Sequence, residues 1–465
     1  MAEARDALAQ GVAHLEAGRS DAAMAAFRAA LAADPVQPLA VRNLGVLLIE
    51  RARFDEALGV ADAALAHAPG HGEALLLRGE GLAGLARHAE AAQAYEAVLA
   101  AGGPAYEALC QLGLARSAMG RHDEALEALD AAVALRPEDA LARHRRAIVR
   151  LQLRDFAGGW ADYEARLDLK RFLPVAGGIV NARTRPLLTP TTRPDALAGK
   201  RVLLLGEQGV GDQIMFASMI PDLVRLGARV GCVCDPRLVG LFAASFPQAG
   251  FVGPEAARLD LSAVDAVLAM GSLGGLFRPD AAAFPGSPYL RPSPASEARW
   301  AQRLGPRTAR LRVGLSWRGG SPNTRQDQRS LSLGALGPVL DLPGCEFVSL
   351  QYGDVESEVA AANHGRAQPI RIFPAADIDD FDDLAGLVAN LDLVVSVQTT
   401  LVHLTGALGR TCLTLIPHVA EWRYTAAGPA MPWYRSVRLF RQAAPGDWAP
   451  VLAEVAAAVA ARLES

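Results

Sequence analysis

No run of about 18 apolar residues occurs anywhere in this 465-residue chain, so no segment has the length of a membrane-spanning helix. Positive charge is not in excess: 46 Lys and Arg stand against 50 Asp and Glu, a formal net charge of −4. That balance removes the electrostatic basis for a nucleic-acid partner. Cysteine is scarce. Cys110, Cys232, Cys234, Cys345 and Cys412 are odd in number and scattered, which suits buried reduced thiols rather than a disulfide framework. Cys232 and Cys234 stand two apart in a strand-like run and face one side of a sheet, so they do not chelate a metal. The opening MAEARDALAQGV has no apolar core of signal-peptide length. These absences lead to the expectation of a cytoplasmic protein without a metal site, and the length to two or three domains.

What is present first is a period. Gly11, Gly45, Gly79 and Gly113 fall at a constant 34-residue step. Ala23, Ala57, Ala91 and Ala125 keep it, as do Phe27, Ala61, Tyr95 and Leu129. Pro35, Pro69 and Pro137 form a further series, with Gly103 and Pro104 where its missing member belongs. Small residues at fixed places let paired helices approach closely, a larger residue fills the gap, and proline ends the unit. The pattern resembles the tetratricopeptide repeat. Four such units stack into an all-α solenoid whose concave inner face, within residues 1–170, is the expected protein-binding surface; a plain helical spacer is the alternative.

A worn fifth unit comes next, with Ala147 and Tyr163 at the glycine and large-residue places. Gly158 and Gly159 weaken its second helix by roughly 1 kcal/mol each relative to alanine. Trp160, Tyr163 and Phe172 are expected to cover the end of the stack and dock it onto the next domain. From Pro174 to Lys200 the helical pattern stops and prolines cluster, so residues 171–199 read as a linker.

Beyond it the period changes to strands alternating with helices. RVLLLG (201–206), ARVGCVCD and DAVLAM (265–270) read as strands, with helices through IMFASMIPDLVRLG and LVGLFAASFP. A Pro-rich stretch from Pro279 to Pro294 intervenes. Then RVGLSW (312–317), CEFVSLQ, DLVVSV and TCLTLI read as strands, with helices through SLGALGPVLD, DDLAGLVANL and TLVHLTGALG and a closing helix in WAPVLAEVAAAVAARLE. Two doubly wound, Rossmann-like lobes, 200–290 and 291–465, imply a ligand cleft at the carboxyl ends of parallel strands.

Three segments carry site chemistry. GEQGVGDQ (206–213) joins the first strand to its helix, where Gly209 and Gly211 allow close backbone approach and the helix start favours an anion. A dinucleotide fingerprint is incomplete, since Ile214 stands where its third glycine belongs and Asp235 is the one acidic residue near a ribose-binding place. Asp212 is either a helix cap or, in a cleft, a proton acceptor. The loop SWRGGSPNTRQDQRSLSL (316–333) supplies Arg318, Arg325 and Arg329 with Asn323, Thr324 and Ser330: guanidinium groups that can clamp phosphate, or a solvated basic loop. SVQTTLVHLTGALG (396–409) sets Thr399 and Thr400 at a strand-to-helix turn and His403 one helical turn on, on the face of Thr400. The histidine is a ligand or a packed core residue.

Taken together, GVGD, the basic loop after SW, and S-V-x-T-x-x-x-H-L-x-G-A-L-G resemble the bacterial heptosyltransferases and the catalytic domains of tetratricopeptide-bearing O-GlcNAc transferases. The resemblance covers about 200–463. It implies the GT-B fold and a metal-independent glycosyltransferase that needs no cofactor besides a nucleotide-sugar substrate. GLSWRGG, FVSLQYGD and WYRSVRLFRQ are most similar to flagellin glycosyltransferases, which implies flagellin as acceptor and a nonulosonic acid, from a CMP donor, as the sugar. By the same resemblance Asp212 is the base, and Gly209, Gly211, Arg318, Asn323, Arg325, Arg329, Thr399, Thr400 and His403 surround the donor's nucleotide and phosphate. Trp422 stacks on the base or packs in the core. Gln398 departs from the family's S-V-D-T, placing an amide where a carboxylate is usual; a donor bearing its own carboxylate is repelled less by it. Two other readings stay open: a repeat scaffold or chaperone whose transferase fold is inactive, and an enzyme acting on a small or lipid-linked glycan.

Overall fold

The 34-residue step becomes four helix pairs: Ala2–Glu16 with Ser20–Ala33, Pro38–Glu50 with Phe54–His67, Gly72–Gly84 with His88–Ala100, and Ala105–Ala118 with His122–Leu135. The computed structural model describes residues 2–169, 193–254, 264–306, 311–320, 325–374, 377–378 and 380–464. Close approach explains the glycines. A Cβ on Gly11 would lie 2.4 Å from the Phe27 ring, one on Gly79 2.3 Å from Tyr95, and one on Gly113 2.6 Å from Leu129. In the second repeat the large position is Ala61, and Leu77 of the next helix fills the space at 2.5 Å from the corresponding point on Gly45. The turns between paired helices repeat too. Gly18, Ala52, Ala86 and Gly120 all take positive φ, at +71°, +55°, +57° and +76°. For the two alanines that conformation costs about 1 kcal/mol or more.

The chain divides into two compact units between Arg150 and Leu151. The repeat pattern alone puts this boundary at 170, because the fifth unit's second helix still keeps the pattern. That helix, Phe156–Tyr163, belongs to the second unit, where Trp160 does the anchoring. Its indole Nε1 donates to the Arg278 carbonyl at 2.9 Å, and its ring meets Trp422, Trp433 and Phe216 edge-on. Arg166, fully buried, makes a bidentate pair with the equally buried Glu207 at 2.7 and 2.8 Å. Burial opposes charge on Arg166, but Glu207 and Glu164 more than offset it and raise its pKa. Phe172 and residues 171–192 of the expected linker lie outside the described residues, as do 255–263, 307–310 and 321–324.

Two sheets form the rest of the second unit. The first has β1 (Arg201–Leu205), β2 (Arg229–Val233), β3 (Gly250–Val252) and β4 (Ala266–Ala269) in the order β3-β2-β1-β4, all parallel. The second has β5 (Leu311–Ser316), β6 (Cys345–Ser349), β7 (Leu393–Val397), β8 (Thr411–Ile416), β9 (Ala430–Met431) and β10 (Tyr434–Arg441) in the order β6-β5-β7-β8-β10-β9. Only β9 runs antiparallel. Strand order reverses at β1/β4 and at β5/β7. Such switch points open a crevice outside the carboxyl ends of the strands. All five cysteines are free and buried.

The largest local departure from the sequence expectation is at the first helix after β1. It begins at Val210 rather than Ile214, so GVGD is its first turn, and it stops at Ala217 before resuming as Ile220–Arg225. Pro221 lacks an N–H and its ring would clash with the preceding turn, which forces the restart. The sequence pattern does not predict β3, β9 or β10. β10 carries Arg435, Arg438 and Arg441, whose charge masks its alternation. The helix expected in SLGALGPVLD is two short turns, 3-10 over Leu333–Leu336 and α over Gly337–Leu340.

Candidate active site

A cavity of about 460 Å³ lies at the carboxyl ends of β1, β5, β7 and β8 and is lined from four loops. After β1 come Gln208, Gly209, Val210, Gly211 and Asp212; after β5, Arg329; after β7, Gln398, Thr399, Thr400 and His403; after β8, Glu421, Arg423 and Tyr424. Two eight-residue helices, Val210–Ala217 and Thr400–Ala407, begin at its wall. They touch there: a Cβ on Gly211 would meet His403 Cδ2 at 3.2 Å and Thr400 Oγ1 at 3.3 Å. The first-turn N–H groups of a helix lack intrahelical partners and carry partial positive charge, so the two starts favour an anion between them.

Each start is capped by its own sequence. Thr399 Oγ1 accepts the Leu401 N–H at 3.2 Å and pairs with Ser396. Asp212 Oδ2 accepts the Gly209 N–H at 3.3 Å. Asp212, the third residue of the helix, thus takes the capping role that sequence allowed as one of its two, reaching back to the N-cap residue Gly209. Its other oxygen, Oδ1, accepts from Arg423 Nε at 2.6 Å, with Nη2 closing on the same oxygen. Burial disfavours charge on Arg423, yet Asp212 and Glu421 outweigh this and raise its pKa.

Glu421 is the hub of the cationic wall. Arg325 reaches it at 3.1 Å, Arg329 at 3.6 Å and Arg423 at 3.9 Å. Burial pushes the Glu421 carboxyl up, but these arginines prevail and hold it below its ordinary range. Three guanidinium groups against the carboxylates of Asp212 and Glu421 leave a net +1 at the cavity. His403 adds none: burial, with Arg423 nearby, pushes the imidazole down to about 3, so it is neutral at physiological pH. Gln398 is 2% exposed, and neither its amide nitrogen nor its amide oxygen has a partner among the described residues. A buried amide without a protein partner requires another explanation, such as a bound water or a ligand.

The predicted residues divide accordingly. Gly209, Gly211, Asp212, Arg329, Gln398, Thr399, Thr400 and His403 come together in the cavity wall, and Arg325 pairs with Glu421 of that wall. Arg318 does not. It turns to Glu358 at 3.0 Å and the Asp354 carbonyl, because Gln351 Oε1 accepts the backbone N–H of both Trp317 and Arg318 and fixes the chain's exit from β5. Trp422 is not in the wall either. Its indole is buried against Trp160 and Tyr163 with Arg423 over its face, the core role that sequence left open. Asn323 and Thr324 lie outside the described residues. Sequence reasoning misses Gln208, Glu421 and Arg423. Gln208, at φ +58°, donates to Tyr163 Oη; in AEWRY the two charges that flank the ring were the available signal.

Models of the tetratricopeptide repeat match residues 8–71, 44–106 and 106–139. Residues 8–139 are tetratricopeptide repeats. Protein FlbA of Caulobacter vibrioides is 33% identical over 344 residues, covering 70% of this chain. The match spans 56% of the length of that protein. Among solved structures, a thermophilic tetratricopeptide protein of Thermus thermophilus is 22% identical, over 36% of this chain and 90% of that one, with a TM-score of 0.32. PilF of Pseudomonas aeruginosa is 23% identical, over 40% and 81%, with a TM-score of 0.33. Among the described residues, no helix is long and apolar enough to cross a membrane.

Proposed function

We propose that this chain is a GT-B glycosyltransferase that moves a sugar from a nucleotide-sugar to a Ser or Thr hydroxyl of a protein held by the repeats. The observation that carries the reading is the cavity itself: two helix starts and an arginine wall converge on one space of about 460 Å³ at the carboxyl ends of parallel strands. In this reading the leaving phosphate gathers charge against the Thr399–Thr400 helix start and the guanidinium groups of Arg329 and of Arg423, the latter once it has left Asp212. Asp212 takes the proton of the attacking hydroxyl once that hydroxyl displaces Arg423 from Oδ1. Gln398 offers its unpaired amide to the sugar, and the motif resemblance suggests flagellin as acceptor and a nonulosonic acid as the group transferred.

Asp212→Asn keeps the cap's shape and removes the base. Turnover is expected to fall by a few orders of magnitude with nucleotide affinity retained; undiminished turnover removes Asp212 from the chemistry. Gln398→Asp is expected to lower activity with a carboxylate-bearing donor. A rise would sink the link between Gln398 and that donor class.

One observation favours a second reading, a protein-binding scaffold without catalysis: Arg423 already occupies the carboxylate that a base must free. A scaffold binds its partner and no nucleotide. The repeats' part is tested by a cut at residue 150, since a cut at 170 would also strip Trp160 and Arg166 from the second unit's core.

A further inference from the structure

The direction of a buried hydrogen-bond chain fixes what His403 can offer the cavity. Tyr289 Oη donates to the Ile214 carbonyl at 2.8 Å; a carbonyl only accepts, so the single phenolic proton of Tyr289 is spent there. Tyr434 Oη lies 3.2 Å from Tyr289 Oη and 3.2 Å from His403 Nδ1. For the first of these contacts to hold a proton, Tyr434 must donate it. Its oxygen is then left to accept, and Nδ1 must carry the hydrogen that reaches it. The opposite tautomer would leave Tyr434 and Tyr289 with two oxygens facing each other and no proton between them. Burial raises the pKa of both phenols, so neither supplies a phenolate to relieve this.

The imidazole is neutral and Nδ1 is protonated, so Nε2 is bare. It takes no hydrogen bond from the described residues, and His403 lines the cavity with its Cδ2 edge toward Gly211. A lone pair repels a phosphate oxygen and accepts from a hydroxyl. We propose that His403 is a hydroxyl-recognising residue, its Nε2 accepting a hydrogen bond from a hydroxyl of the glycosyl donor, and that Tyr434 and Tyr289 act as positioning residues that hold this tautomer. Phosphate recognition then falls to the helix starts and the arginines. The hydroxyl clause rests on the transferase reading; the tautomer does not.

The tautomer is read by two-bond proton–nitrogen NMR of the full chain labelled with ¹⁵N-histidine at pH 7, with the His403 signals identified by their loss in His403→Asn. Bare Nε2 with protonated Nδ1 is expected. A protonated Nε2 overturns the proposal. Tyr434→Phe removes the acceptor for Nδ1–H and is expected to shift the ring toward the other tautomer.

The ligand is probed by titrating CMP, UDP, ADP and GDP, and the 2′,3′-dideoxy form of whichever binds. His403→Asn keeps a donor at the δ position and deletes the ε acceptor, whereas His403→Gln retains an acceptor near the ε position. If the hydroxyl is on the ribose, affinity falls at least tenfold in the asparagine variant and for the dideoxy compound, and recovers in the glutamine variant. If it is on the transferred sugar, nucleotide affinity holds and KM for the sugar donor rises at least tenfold in the asparagine variant alone. Unchanged affinity and KM overturn hydroxyl recognition. Should none of the nucleotides bind folded wild-type protein, the donor assignment and the hydroxyl clause fall together, while the spectrum still decides the tautomer.

Discussion

The two units of this chain pack closely by opposite routes. In the repeats the partners are near in sequence: Gly11 takes Phe27, Gly79 takes Tyr95 and Gly113 takes Leu129, each one helix hairpin away. In the second unit they are far apart. Arg423 meets Asp212 across 211 residues, Arg166 meets Glu207 across 41, and Trp160 donates to Arg278 across 118. A local contact repeated at a constant step writes itself into sequence as a period. A distant contact leaves only isolated residue types, which acquire meaning when the fold brings them together.

The difference is sharpest where a distant contact is broken. Glu207→Ala should destabilise the second unit by about 3–5 kcal/mol, because it strands the buried Arg166 charge. All six tryptophans lie between 160 and 448, so their fluorescence reports this unit alone. A midpoint in denaturant shifted by less than about 1 kcal/mol would mean that water replaces the carboxylate readily.

The local contacts should fail more gently. Gly79→Ala puts a methyl into the Tyr95 ring and is expected to cost about 1–3 kcal/mol by far-UV circular dichroism, despite alanine's better helix propensity. Gly59, in the helix Phe54–His67, has open space where a methyl would point, with nothing within 4 Å, and Gly59→Ala is expected to add up to about 1 kcal/mol. The same sign for both changes would remove close approach as the reason for the repeat glycines.

Acid tests the second unit through one buried imidazole. His403 is neutral in the folded protein to about pH 3 but titrates near 6.5 when unfolded. The unfolded chain therefore binds more protons below pH 6.5, and stability falls by about 1.4 kcal/mol per pH unit on acidification through that window. His403→Asn should remove this slope from the fluorescence transition and leave contributions shared by both proteins. An equal acid slope in wild type and variant would show the imidazole to be charged in the fold. The smallest effect belongs to the repeat turns. Ala52→Gly and Ala86→Gly relieve a left-handed alanine and should each gain a few tenths to about 1 kcal/mol, offset in part by glycine's freedom when unfolded.

The same contrast accounts for what is legible in sequence. The repeats are legible in Gly11, Gly45, Gly79 and Gly113, and most parallel strands in their continuous apolar runs, as in Leu203–Leu205 and Leu393–Val395. Cavity residues on strand-to-helix turns are legible too, since Gly209 and Thr399 are of helix-capping type. Glu421 and Arg423 are not. Each is a charge in a loop after β8, and only the meeting of that loop with Asp212 gives it a role. Arg318 and Trp422 mislead in the other direction. They have the right chemistry in the right segments, but Glu358 and the Trp160 cluster claim them.

Calorimetric titration of CMP, UDP, ADP and GDP into the wild-type chain and into Arg329→Ala tests the donor site most directly. One of the four is expected to bind wild type, and to bind the variant at least tenfold more weakly, with both proteins melting cooperatively. No binding of any of them to folded wild-type protein would contradict the transferase reading and leave the repeats as the working part of the chain.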